Sequence, residues 1–179
     1  SKCKLNRLEH TDASEMAKVL ENTYRAINIA FVVEWSRFAE EVGVDLYAII
    51  NAIRDRSTHA NLMYPGLGVG GYCLTKDPLL ANWARRSLFE FDTDLAMSIN
   101  GVSVNDQMPF FAFNRMVQVF GDLKLKKITF LGVSYRGDVG DTRFSPVELL
   151  FKMVQSTGAT TFLHDPFVSY WEERKCEVN

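Results

Sequence analysis

From Met16 to Phe38 the apolar residues Met16, Val19, Leu20, Tyr24, Ile27, Ala30, Phe31, Val32, Trp35 and Phe38 recur at helical spacing, and neither glycine nor proline interrupts the chain before Gly43. The spacing predicts one helix of about 30 residues, longer than the roughly 8–20 of most globular helices. Thr11, Asp12 or Ser14 offers the short oxygen side chain that accepts from orphan N–H groups at a helix start. The apolar residues cover more than one side of this helix, so roughly 110 helical residues alone do not bury it. Two copies packing their long helices together is the expected remedy, which makes the chain a homodimer. Asp45 then caps a shorter helix, Leu46 to Arg54.

The 179 residues carry 20 basic and 22 acidic side chains, a net charge of −2. That balance excludes a strongly basic nucleic-acid grip. No run approaches the roughly 20 apolar residues of a membrane span, and SKCKLNRLEH lacks the apolar stretch of a secretory signal. Cys3, Cys73 and Cys176 are too few and too scattered for a disulfide scaffold or a zinc site. The expectation is a cytoplasmic protein with no metal and no membrane or nucleic-acid partner.

Residues 55–72, DRSTHANLMYPGLGVGGY, form an irregular centre with four glycines and a proline. Lys76 to Ser87 reads as helix, with Asp77-Pro78 near its first turn, where proline is tolerated. A second long helix is expected from about Thr93 to Phe120, ending at Gly121. The character changes after residue 122. ITFLGV reads as a buried strand and SYRGDVGDTRF as a loop. Ser145-Pro146 opens a helix that Gly158 stops, and TTFLHD is a second strand ending at Asp165-Pro166. Strand, helix and strand make one βαβ unit of a parallel sheet. One unit cannot bury both faces, so the chain is expected to stop inside a domain. The division is a mainly α domain, 1–122, followed by a partial α/β domain, 123–179.

Gly66-Leu-Gly68-Val-Gly70-Gly71 satisfies G-x-G-x-x-G literally, but a dinucleotide turn must follow a strand and open a helix. Here Tyr64-Pro65 and a polar loop precede it, so that reading is rejected. The glycines provide a loop of little bulk whose N–H groups can approach a ligand. Cys73 follows two residues later, with Lys76 and Asp77 close behind. A thiol becomes a nucleophile when nearby cations or a helix N-terminus stabilise its thiolate, and Asp77 stands at i+4 as a candidate base. A lone cysteine is more often inert; the glycine loop, Lys76 and Asp77 together favour chemistry. Lys18 and Asn22, also i, i+4, share one helix face and could serve a developing oxyanion. On spacing alone, a solvated stripe with Glu15 is the simpler account of that pair.

Taken together, EMAKVLENTYRAINIAFVVEW, PGLGVGGYCLTKDP and ITFLGVSYRGDVGDTRFSPVELL resemble the UDP-glucose/GDP-mannose dehydrogenase family, in order and over residues 9 to 166. The resemblance implies an NAD-dependent oxidation of the C6 alcohol of a nucleotide sugar to a carboxylate. It implies a helical central domain with a dimer-forming helix, then a partial Rossmann-like domain for the nucleotide sugar. Cys73 matches the nucleophile that forms a thiohemiacetal, then a thioester that water hydrolyses. Lys18 and Asn22 match the pair that polarises the reacting oxygen, and Asp77 the carboxylate that orders or activates water. Lys76 and Arg143 match basic residues placed toward the cofactor. Gly66, Gly68, Gly70 and Gly71 match a cradle around the substrate, and Tyr135 and Arg136 match the nucleotide contacts.

Two positions depart from the family pattern. Arg136 stands where lysine is usual, exchanging a point charge for a flat fork. Val33 stands where asparagine commonly precedes Glu34. NLMYPG and DPLL are similar to the UDP-N-acetylhexosamine members rather than the UDP-glucose members, with His59 at the basic position before the loop. A non-catalytic dimerisation or nucleotide-binding module of the same fold is the competing reading. The set Cys73, Lys18, Asn22 and Asp77 opposes it, because a scaffold has no need of all four. With no strand-borne G-x-G-x-x-G, this chain alone is expected to bind no NAD and to turn over no substrate.

Overall fold

A computed structural model describes residues 5–179, which leaves Cys3 outside the described residues. The uninterrupted periodicity yields α1, Thr11–Val42, a single helix of 32 residues that Gly43 ends at φ 71°. Its start differs from expectation. His10 is the capping residue and makes no side-chain cap, while Thr11 and Asp12 lie inside the first turn. Small side chains line the buried face: Asn22, Thr23, Ala26, Ala30 and Val33. Val33, where the family pattern favours asparagine, has no exposed surface, so an apolar side chain suits it.

Helix α2, Leu46–Arg54, is capped as its sequence dictates, with Asp45 Oδ1 accepting from Tyr47 N (2.8 Å) and Ala48 N (3.3 Å). A short 3-10 turn, Ser57–His59, and an irregular stretch follow. Helix α3, Tyr72–Ser87, begins four residues before the expected Lys76, because Gly71 at φ 77° turns directly into it. Cys73 therefore belongs to the first helical turn, and Pro78 lies in the helix interior rather than in the first turn.

The second long helix is divided. Helix α4 spans Ala96–Asp106 and α5 spans Met108–Phe120, meeting at Gln107. Pro109 explains the break: it has no N–H for the carbonyl of Asn105, and its ring crowds that carbonyl. Helices α3 and α4 are the chief neighbours of α1. At Gly101 of α4 a Cβ would stand 3.1 Å from Ile27 Cγ1, so this glycine sets how closely the two helices approach.

Strand β1, Lys127–Leu131, and β2, Thr160–His164, pair in parallel around α6, Pro146–Ser156, with Lys127 opposite Thr160. Ser145 caps α6 through Val147 N (3.3 Å). A hairpin of β3, Tyr170–Trp171, and β4, Cys176–Glu177, follows. It was not foreseen, since two-residue strands carry no readable alternation. The hairpin contributes fully buried Trp171 to a core with Phe130, Val133, Phe151, Val154 and Val178. Phe151 meets Phe130 edge-on at 5.3 Å and Trp171 at 5.7 Å. Ala112, Phe113 and Met116 of α5 pack against this core, whereas Leu131 and Phe162 are exposed on the strands.

Candidate active site

The packing of α1 on α3 joins four of the singled-out side chains by hydrogen bonds. Lys18 Nζ donates to Asn22 Oδ1 (3.3 Å), and Asn22 Nδ2 donates to Asp77 Oδ2 (2.6 Å). Lys76 Nζ donates to the other carboxylate oxygen of Asp77 (2.7 Å). Lys18 and Asn22 share a face because of their i, i+4 spacing, and Asn22 on that face is in buried contact rather than part of a solvated stripe. Asn22 is 1% exposed and Asp77 5%, while Lys18 and Lys76 are exposed. The row thus runs from one surface ammonium, through a buried amide and carboxylate, to another.

Burial pushes the Asp77 carboxyl up. Its hydrogen bonds from Lys76 and Asn22, with the charges of Lys76 and Lys18, outweigh that effect and hold it below the usual carboxylate range. Asp77 in turn holds the Lys76 ammonium above its ordinary value. A carboxylate of lowered proton affinity is a poor general base, and it is suited to orienting a water and neighbouring cations.

Cys73 is exposed on the first turn of α3, one turn before Asp77. The orphan N–H groups of that helix start lie beside it. Arg143 grips Asp141 through Nε (2.9 Å) and Nη2 (2.7 Å), and Asp141 raises its guanidinium's proton affinity.

The glycine loop meets its neighbours closely. A Cβ on Gly68 would stand 2.5 Å from the Asn105 carbonyl oxygen, and one on Gly70 would collide with Tyr135 Cβ. One on Gly71 would stand 2.8 Å from Tyr135 Cζ, whereas Gly66 has open space beside it. Arg143 O also accepts from Gly71 N (2.9 Å). Three of the four loop glycines therefore answer to protein packing. Arg136 is exposed on the loop after β1, and His59 is exposed with Nδ1 2.8 Å from Thr58 Oγ1.

Sequence reasoning missed what braces this loop. Asn61 Nδ2 donates to Tyr24 Oη (2.7 Å), and Met63 N donates to Asn28 Oδ1 (3.1 Å). Arg54 donates to Leu62 O (2.6 Å) and Tyr47 Oη to Pro65 O (3.0 Å). The i, i+4 spacing of Tyr24 and Asn28 on α1 was the available signal.

Neither the glycine loop nor the turn after β1 fits a grip on the pyrophosphate of NAD. The loop at Gly66–Gly71 follows no strand, and Tyr135 fills the space beside Gly70 and Gly71. The turn after β1 has its N–H groups taken: Asp165 Oδ2 accepts from Val133 N (2.9 Å) and Ser134 N (3.1 Å).

The sequence model of the UDP-glucose/GDP-mannose dehydrogenase family, central domain, matches residues 12–107. The chain is 36% identical to the UDP-N-acetyl-D-mannosamine dehydrogenase of Methanococcus maripaludis, over 90% of this chain and 36% of that protein. It is 33% identical to the NDP-N-acetyl-D-galactosaminuronic acid dehydrogenase of Ralstonia nicotianae, over 88% of this chain and 36% of that protein. The crystal structure of the NDP-N-acetyl-D-galactosaminuronic acid dehydrogenase from Methanosarcina mazei Go1 superposes with a TM-score of 0.83 at 26% identity. It covers 93% of this chain and 37% of that one. The chain thus spans little more than a third of the length of such relatives. With the central-domain match extending over more than half of its 179 residues, the chain belongs to the UDP-glucose/GDP-mannose dehydrogenase family.

Proposed function

We propose that the chain is part of an NAD-dependent dehydrogenase that oxidises the C6 alcohol of a UDP-sugar to a carboxylate, preferring a UDP-N-acetylhexosamine to UDP-glucose. The observation that carries this reading is the Lys18–Asn22–Asp77–Lys76 row beside an exposed Cys73. In this reading NAD is the hydride acceptor and is held by a part of the enzyme that this chain does not span. Cys73 Sγ adds to the C6 aldehyde, and the Lys18 ammonium stabilises the oxyanion that forms. The thioester, reached when the thiohemiacetal carbon gives up a second hydride to NAD, is hydrolysed by a water that Asp77 orients, which releases the carboxylate and the Cys73 thiol. Asn22, buried with both polar atoms engaged, acts by holding Lys18 and Asp77 in place. Gly66 leaves backbone open to the sugar, and Arg136 lies on the nucleotide side. The names of the relatives support the N-acetylhexosamine preference.

The test is NADH formation by an enzyme of full family length carrying this chain. It should respond to UDP-N-acetylmannosamine and UDP-N-acetylgalactosamine ahead of UDP-glucose. Equal inertness toward all three removes the reading.

The same reading includes a homodimer. Met16, Leu20, Phe31, Trp35, Phe38 and Val42 of α1 are each at least 47% exposed, a stripe along the side opposite Asn22, Ala26 and Val33. Phe31, Trp35 and Phe38 already contact one another in series at about 6 Å, so the stripe offers a ready aromatic surface. A second copy meeting this stripe by two-fold symmetry gives an isologous interface.

A further inference from the structure

We propose that Tyr135 is a positioning residue for Cys73: its ring, packed along Gly70 and Gly71, fixes the turn from which the Cys73 helix starts. The inference rests on the dehydrogenase reading and gives Tyr135 a different task from the nucleotide contact expected of it. Three observations converge. A Cβ on Gly71 would meet Tyr135 Cζ, Cε2 and Cε1 at 2.8, 3.0 and 3.2 Å, so the ring lies against the residue that caps α3. Gly71 N donates to Arg143 O at 2.9 Å, and Tyr135 N donates to Asp141 O at 3.1 Å, so ring and cap are tied into one loop. The Phe144 ring, on the same loop, meets Tyr72 at 5.8 Å, immediately beside Cys73.

The physical argument is one of over-determination. Gly71, at φ 77°, has a backbone with few steric limits of its own, so nothing intrinsic to it chooses the direction of the first turn of α3. The aromatic surface on one side and the Arg143 carbonyl on the other supply that choice. Glycine at 70 and 71 admits the ring at backbone distance, and the ring removes the freedom that glycine brings. Cys73 lies two residues on, and a displacement of about 1 Å at a nucleophile costs on the order of 100-fold in rate.

The test compares Tyr135→Phe, which keeps the ring, with Tyr135→Ala, which removes it, in an enzyme of full family length. Tyr135→Ala should lower kcat at least 10-fold while KM for the nucleotide sugar changes less than 3-fold, and Tyr135→Phe should restore kcat to within 2-fold of the parent. Amide hydrogen exchange at residues 71–76 should accelerate at least 10-fold in the alanine variant and not in the phenylalanine variant, with α2 unchanged in both. A raised KM with unchanged kcat and unchanged exchange would make Tyr135 a nucleotide contact and overturn the proposal. Equal damage from both variants would also overturn it, by assigning the work to the hydroxyl. If Tyr135→Ala does not fold, Tyr135→Leu keeps apolar bulk without the ring and is read by the same criteria. A parent that makes no NADH from any UDP-sugar refutes the dehydrogenase reading, and the exchange comparison then decides the role of Tyr135 by itself.

Discussion

Asn22 on α1 donates its amide to Asp77 on α3 at 2.6 Å, and both side chains are buried. The bond joins residues 55 apart in sequence and makes the long helix a partner of the cysteine-bearing helix. Its loss leaves a buried carboxylate short of a donor, a defect worth about 1–3 kcal/mol. Asn22→Ala should therefore lower unfolding free energy by about 2 kcal/mol in a denaturant titration. Asn22→Leu, of closer size, should be no better, because the missing element is a donor.

The cysteine makes a sharper prediction. Cys73→Ser in an enzyme of full family length should stop carboxylate formation, because an alkoxide leaves far less readily than a thiolate. Product analysis should show at least a 1,000-fold fall in uronate. Retention of the parental rate would show that the acyl intermediate is not on Cys73.

Acid should weaken the fold in a defined direction. Asp77 and Asp165 are both pushed up by burial and brought below the usual carboxylate range by their donors. A group with a depressed folded-state value contributes stability above its unfolded value, about 3.9, and loses it as pH falls through the lower folded value. Thermal unfolding should thus be insensitive to these groups near neutrality and fall away below about pH 4. Asp77→Asn with Asp165→Asn should flatten that acid limb while lowering stability at pH 7.

Trp35→Glu with Phe38→Glu places charge on the apolar stripe of α1. Sedimentation equilibrium should show the parent as a dimer at tens of micromolar and the variant as a helical monomer. The parental interface should bury more than about 1,200 Å². A parental monomer with an intact helical spectrum decides against the dimer.

NAD titrated into the 179-residue chain should give no saturable binding in the micromolar range. Calorimetry reads this directly. Saturation at micromolar concentration would place a dinucleotide site among these residues.

Periodicity and caps made much of the fold legible: α1 stops at Gly43, and α2 and α6 start after Asp45 and Ser145. What escaped was governed by contacts distant in sequence. The start of α3 at Tyr72 depends on Gly71 in a left-handed conformation beside Tyr135, and no local rule announces it. Pro109 was visible, but a break at Gln107 required taking its i−4 clash over the apolar pattern around it. Lys18 and Asn22 read as a solvated pair until Asp77 arrived from another helix. The spacing was present in the sequence; the buried partner was not.

The carboxylate of Asp165 has a wider consequence. By accepting from Val133 N, Ser134 N and Phe167 N, it occupies a ring of backbone donors at the end of the parallel strands. Such rings ordinarily attract phosphate of any origin. With an anion already built in, these three donors are taken and are not offered to a free phosphate. Discrimination among phosphorylated ligands is thereby left to side chains, which, unlike a backbone, a sequence can tune one residue at a time.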